Sequence, residues 1–181
     1  MNNKQQIRQE IKLLKRSISA EQRECLSREI AAAIEQLPGF EQAEHIMLYH
    51  ALPDEVDTTP LLSKWAKEKS LYLPVVKGEE LIISPYDPHA VKKGAFGIWE
   101  PADERPIDPR TIEWIVVPGV AFDLRRNRLG RGKGYYDKLL GQTQAVKIGI
   151  GYDLQLLDEI PAEPHDIKMD IVVTEKRIIH L

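Results

Sequence analysis

Between Arg128 and Asp137 the sequence reads RLGRGKGYYD, so that Gly130, Gly132 and Gly134 alternate with Arg131 and Lys133. Glycine at every second position lets the backbone take positive φ and come close to a ligand. Several amides can then converge on one phosphate, and the start of a following helix adds positive potential. Arg131 and Lys133 bring mobile cations to the same turn, and Arg128 adds a third. Polyphosphate is the partner that such a concavity suits. Asp137, an acid in an otherwise basic turn, can hold the magnesium ion that accompanies ATP.

The pattern is not one of the standard phosphate loops. A P-loop needs glycine where this chain has Asn127, and Ser or Thr where it has Gly134. A dinucleotide fingerprint needs its third glycine where Tyr135 stands. On pattern alone, a solvated basic hairpin remains the competing reading. Lys4 and Arg8 are spaced to stack on one helical face, as two anion ligands or as part of a solvated stripe. Glu55 sits in the acidic run Pro53-Asp54-Glu55-Val56-Asp57. Trp99 and Tyr152 offer flat surfaces, although single aromatics more often belong to cores.

The elements that must position these groups follow from periodicity. Ile7, Ile11, Leu14 and Ile18 predict an opening amphipathic helix with Lys4, Arg8, Lys12 and Lys15 in a stripe beside them. Ser19 followed by Gln22 is a capping-box start for a second helix, which Pro38-Gly39 ends. His45–Tyr49, Leu71–Val76, Leu81–Tyr86, Trp114–Val117, Val146–Ile150 and Ile171–Thr174 read as strands. Helices are expected from Thr58 or Thr59 to about Lys69, and over Tyr135–Leu140. Residues 87–110 are rich in Pro, Gly and Asp and suggest an excursion from the core. Strands alternating with helices give an α/β fold, one domain over 1–181, with a central, mostly parallel sheet flanked by helices on both faces.

Composition narrows the function. The 181 residues carry 25 bases and 28 acids, a net charge of −3, so no overall field draws the chain to nucleic acid or a membrane. The basic residues concentrate in 1–16 and 125–138, which fits local anion sites. No stretch has the ~20 apolar residues of a membrane helix. The single cysteine, Cys25, allows no internal disulfide, and a cytoplasmic location is expected.

The run Val117–Asp137 resembles the 5-formyltetrahydrofolate cyclo-ligase family. Lys4…Arg8, Pro53-Asp54-Glu55, Gly97-Ile98-Trp99-Glu100-Pro101 and His165-Asp166-Ile167-Lys168-Met169-Asp170 carry the similarity along the chain in the expected order. The resemblance implies an α/β enzyme that uses MgATP to convert 5-formyltetrahydrofolate to 5,10-methenyltetrahydrofolate, releasing ADP and phosphate. It assigns ATP binding to Lys4, Arg8 and the run Arg128, Leu129, Gly130, Arg131, Gly132, Lys133, Gly134, Tyr135 and Tyr136. Asp137 and Asp170 become the magnesium carboxylates, and Glu55 the folate-site acid. Position 50 also lines the folate pocket, where this chain has His50 in place of the family's frequent apolar residue. Trp99 and Tyr152 are further candidates for the substrate's rings. Arg131, Lys133 and Tyr136 are expected to act on the transferred group. The rival readings are a small-molecule kinase using the same cradle and a nucleic-acid-binding module built on Arg125–Lys138.

Overall fold

The structure, a computed structural model, describes residues 3–94 and 97–181; Ala95 and Phe96, inside the expected 87–110 excursion, lie outside the described residues. The chain runs α1 (Asn3–Lys15), α2 (Ala20–Glu35), β1 (His45–Met47), α3 (Thr59–Trp65), β2 (Ser70–Lys77), β3 (Glu80–Pro85), β4 (Val91–Lys93) and β5 (Trp99–Pro101). It continues through β6 (Trp114–Val117), β7 (Ala121–Asp123), β8 (Arg128–Leu129), α4 (Tyr135–Leu140), β9 (Val146–Ile150), β10 (Leu156–Leu157), β11 (Ile171–Val173) and β12 (Ile178–Ile179).

The main sheet has the order β12-β11-β9-β6-β1-β2-β3. Its five inner strands are parallel, while β12 and β3 close the two edges antiparallel. Alternation along each strand divides the core between two faces. Ile46, Leu48, Leu73, Val116 and Ile148 pack with Ile30 and Ile34 of α2 and with Leu62 and Trp65 of α3. Met47, Ile115, Val117 and Val172 pack on the other face with Leu139 and Leu140 of α4. This is the α/β fold the alternation of elements predicts, with helices on both faces.

The Ser19 cap has the expected form: the Ser19 hydroxyl accepts from the Gln22 amide at 3.1 Å, and the Gln22 side chain accepts from the Ser19 amide at 2.9 Å. The helix expected to reach Lys69 stops at Trp65, because the chain turns there to enter β2.

A small second sheet, β10-β7-β8, which residue order does not signal, carries the glycine turn. Its β7–β8 hairpin is held by Asp123, fully buried, whose carboxylate accepts from the amides of Arg125, Asn127 and Ile160 and from the Asn127 side chain at 2.9–3.0 Å. Ile11 of α1 packs with Ala121, Leu129 and Ile160 beneath this sheet. The opening helix therefore covers the hairpin rather than the main sheet.

Candidate active site

A cavity of about 590 Å³ opens beyond the carboxyl ends of β1 and β6, between α1, the hairpin and the β2–β3 edge. Tyr49 and His50 follow β1, and Pro118 and Gly119 follow β6. The entire run Arg128–Asp137 lines one wall, Lys4 and Arg8 another, and Glu55 a third. Loops after parallel strands are where ligands bind in open α/β sheets.

Two of the three glycines of the turn take the positive φ that their spacing suggests, and Gly130 does not. Gly132 has φ +105° and Gly134 φ +72°, in the left-handed region that side-chain-bearing residues avoid. Gly134 is also the N-cap of α4. The Arg8 Nε donates to the Gly130 carbonyl at 2.9 Å, tying α1 to the turn. Arg128 lies beneath it, only 5% of its side chain exposed, with Nη1 on the Pro118 carbonyl at 3.0 Å and Nη2 3.9 Å from Asp137. Burial pulls its pKa down, against the Asp137 charge that raises it. Its buried Nε has no hydrogen-bond partner among the described residues. A buried cationic donor without an acceptor makes the cavity floor suited to an anion. The guanidinium lies 5.3 Å over the Tyr136 ring, and burial pushes the Tyr136 hydroxyl far above the usual phenol range.

The opposite wall is acidic. Glu55 accepts from the Leu52 amide at 2.8 Å. Burial raises its pKa, opposed by that amide and by Arg131, whose Nη2 lies 3.7 Å away. The Glu55 backbone is pinned from behind: its carbonyl accepts from Arg23 Nε at 2.8 Å and from the Tyr152 hydroxyl at 3.1 Å. Asp166 lies on the cavity wall with Asp137, and the amide of the next residue, Ile167, donates to Asp137 at 3.2 Å. Lys4 Nζ is 3.3 Å from Glu163 and 3.4 Å from Asp166.

Three expected site residues stand elsewhere. Asp170 is outside the lining; its carboxylate accepts from the Lys147 amide at 2.8 Å, bridging the starts of β11 and β9. Tyr152 is 1% exposed and belongs to the core, where it supports the Glu55 backbone. Trp99 is outside the lining, its ring 6.0 Å from that of His50. His50 itself lines the cavity; burial lowers its pKa, and its Nδ1 makes no hydrogen bond among the described residues. Sequence reasoning missed Glu100, which lines the cavity while accepting from the Val76 amide at 2.9 Å. It also missed Asp166, although the motif containing it stood out.

A cavity lined by cationic side chains and left-handed glycines at the carboxyl ends of parallel strands, with carboxylates on its rim, is what an α/β enzyme acting on a phosphate-bearing substrate requires. The sequence model of the 5-formyltetrahydrofolate cyclo-ligase family matches residues 1–175. A Haemophilus influenzae 5-formyltetrahydrofolate cyclo-ligase is 32% identical, covering 94% of this chain and 97% of its own. The solution structure of an Aquifex aeolicus 5,10-methenyltetrahydrofolate synthetase superimposes with TM-score 0.90 at 38% identity, over 99% of this chain and 93% of that one. A Mycoplasma pneumoniae 5,10-methenyltetrahydrofolate synthetase gives TM-score 0.79 at 25% identity, over 96% and 99%. The chain belongs to the 5-formyltetrahydrofolate cyclo-ligase family, and its activity is the ATP-dependent conversion of 5-formyltetrahydrofolate to 5,10-methenyltetrahydrofolate.

Proposed function

We propose that this cavity performs the cyclisation with the triphosphate on the glycine turn and the pterin against Glu55. The observation that carries the reading is the convergence of Lys4, Arg8 and Arg128–Tyr136 opposite a buried carboxylate. A pterin edge presents adjacent N–H donors, and one carboxylate accepts two of them in a charge-assisted pair. Tyr49, His50 and Leu52 line the same cavity as this acid and offer ring faces and an apolar side chain to the substrate.

In this arrangement the formyl oxygen on N5 attacks the γ-phosphorus, and ADP leaves. N10 then adds to the activated formyl carbon, its proton is lost, and the phosphate departs with the former amide oxygen. An amide oxygen leaves poorly and a phosphate well, so ATP drives the dehydration. The enzyme's part is alignment and stabilisation of charge on the transferred phosphoryl group. Arg131 and Lys133 supply cations from the turn, Arg128 holds the floor, and Tyr136 sets the boundary towards folate.

Asp137 and Asp166 present carboxylates on one wall beside Arg128, the oxygen donors that Mg²⁺ takes together with phosphates. These two, rather than Asp170, are the residues that would hold it; bound there, the ion neutralises phosphate charge. Among the described residues no helix is long and apolar enough to cross a membrane. Cys25 is an exposed free thiol, which favours the reducing cytoplasm.

Incubation with 5-formyltetrahydrofolate, ATP and Mg²⁺, omitting each in turn, tests the reading through the near-ultraviolet chromophore of the methenyl product. A phosphorylated folate lacking that chromophore would instead indicate a kinase.

A further inference from the structure

Arg131 stands between two kinds of partner. Its guanidinium reaches Asp54 at 3.2 Å and Glu55 at 3.7 Å, yet half of its side chain is exposed and its backbone belongs to the phosphate turn. Asp54 is in turn held by Lys15 of α1, Nζ to carboxylate 3.6 Å, and only 6% of the Lys15 side chain is exposed. Burial drives the Lys15 pKa down, partly offset by Asp54. Burial would raise the Asp54 pKa, but the Lys15 and Arg131 charges outweigh it and leave it low. Asp54 therefore remains a carboxylate shared between two cations. Neither Asp54 nor Lys15 lines the cavity.

We propose that Asp54 and Lys15 are a positioning pair that sets how readily Arg131 turns from the acidic wall to the nucleotide's phosphates. This rests on Arg131 being a phosphate ligand. Asp54 competes with phosphate for one guanidinium, and Lys15 weakens that competition by drawing on the same carboxylate. Removing Asp54 leaves Arg131 only the longer contact to Glu55 and so favours its turn to phosphate. Removing Lys15 leaves Asp54 with one cation and tightens its hold on Arg131. The two substitutions thus act in opposite directions, which a general loss of positive charge or of packing does not produce.

The test is calorimetric titration of the full chain with the β,γ-imido analogue of ATP and Mg²⁺, using wild type, Asp54→Asn, Lys15→Met, the double variant and Arg131→Ala. Asp54→Asn is expected to bind the analogue about 3-fold tighter, the scale of one partly exposed ion pair. Lys15→Met is expected to bind it about 3-fold weaker, and that loss should vanish in the Asp54→Asn background, the signature of coupling. Methionine fills the lysine's buried space, so a folding defect in one variant leaves the other informative. Unchanged or weaker binding by Asp54→Asn overturns the proposal. So does a Lys15→Met loss that persists without Asp54, since the lysine would then act on phosphate directly. Arg131→Ala separates the levels: unchanged affinity there sinks the phosphate assignment itself. Weakened affinity there, with Asp54→Asn and Lys15→Met both silent, sinks the positioning pair alone.

Discussion

Arg8 and Gly130, 122 residues apart, meet through one hydrogen bond of 2.9 Å from a guanidinium Nε to a backbone carbonyl. That bond orients a glycine-rich turn that has few side chains of its own to hold it. Arg8→Ala is expected to raise the KM for ATP by about 10-fold or more, the effect of losing a hydrogen bond to a charged group. Arg8→Lys should rescue little, because an ammonium cannot bond the carbonyl and present a planar fork to phosphate together. Steady-state kinetics at saturating folate would show this.

Arg131→Ala and Lys133→Ala are each expected to lower turnover roughly 10²–10³-fold, the scale of removing one donor from a developing oxyanion. Full activity in either would take that side chain out of the chemistry.

Asp137→Asn and Asp166→Asn should raise the Mg²⁺ concentration needed for half-maximal rate, while Asp170→Asn should not. The Asp170 variant loses a charge-assisted acceptor for the Lys147 amide and is expected to cost about 1 kcal/mol in stability instead. Mg²⁺ titrations on all three variants distinguish the assignments, and a shift confined to Asp170→Asn would reverse them.

Glu55→Gln is expected to weaken 5-formyltetrahydrofolate binding and leave nucleotide affinity little changed. The pterin edge needs the carboxylate form, and burial raises the Glu55 pKa above its ordinary 4.5. Folate affinity should therefore climb as pH rises through that elevated value and fall below it. The glutamine variant should lack this acid limb. Calorimetry with each ligand across pH measures both effects.

Asp123→Ala would leave four buried or half-buried N–H groups without their acceptor. A loss of about 3 kcal/mol or more in urea unfolding is expected. Loss of nucleotide binding should accompany it, because β7 and β8 carry the turn.

Local signals and long-range ones were unequally legible. The Ser19 cap, the extent of α4 and the alternating sheet strands depend on neighbours within a few residues, and their positions could be read from residue order. The glycine turn was legible because positive φ leaves a compositional trace. The β10-β7-β8 sheet was not: its strands are two or three residues long, and the β7–β10 pairing joins segments about 30 residues apart. Tyr152 looked like a ring surface for substrate, but its hydroxyl supports Glu55 from within the core, a relation that appears only on folding. Asp166 and Asp170 are both acids of one short motif. The turn at residues 164–165 and the extended run after it decide that Asp166 lines the cavity and Asp170 does not.

The cavity draws Lys4 and Arg8 from the first helix and Asp166 from just before the last parallel strand. A growing chain thus presents Lys4 and Arg8 long before Asp166, which completes the cavity around them. On the proposed reading, nucleotide-assisted folding of this pocket begins only once synthesis has passed Asp166.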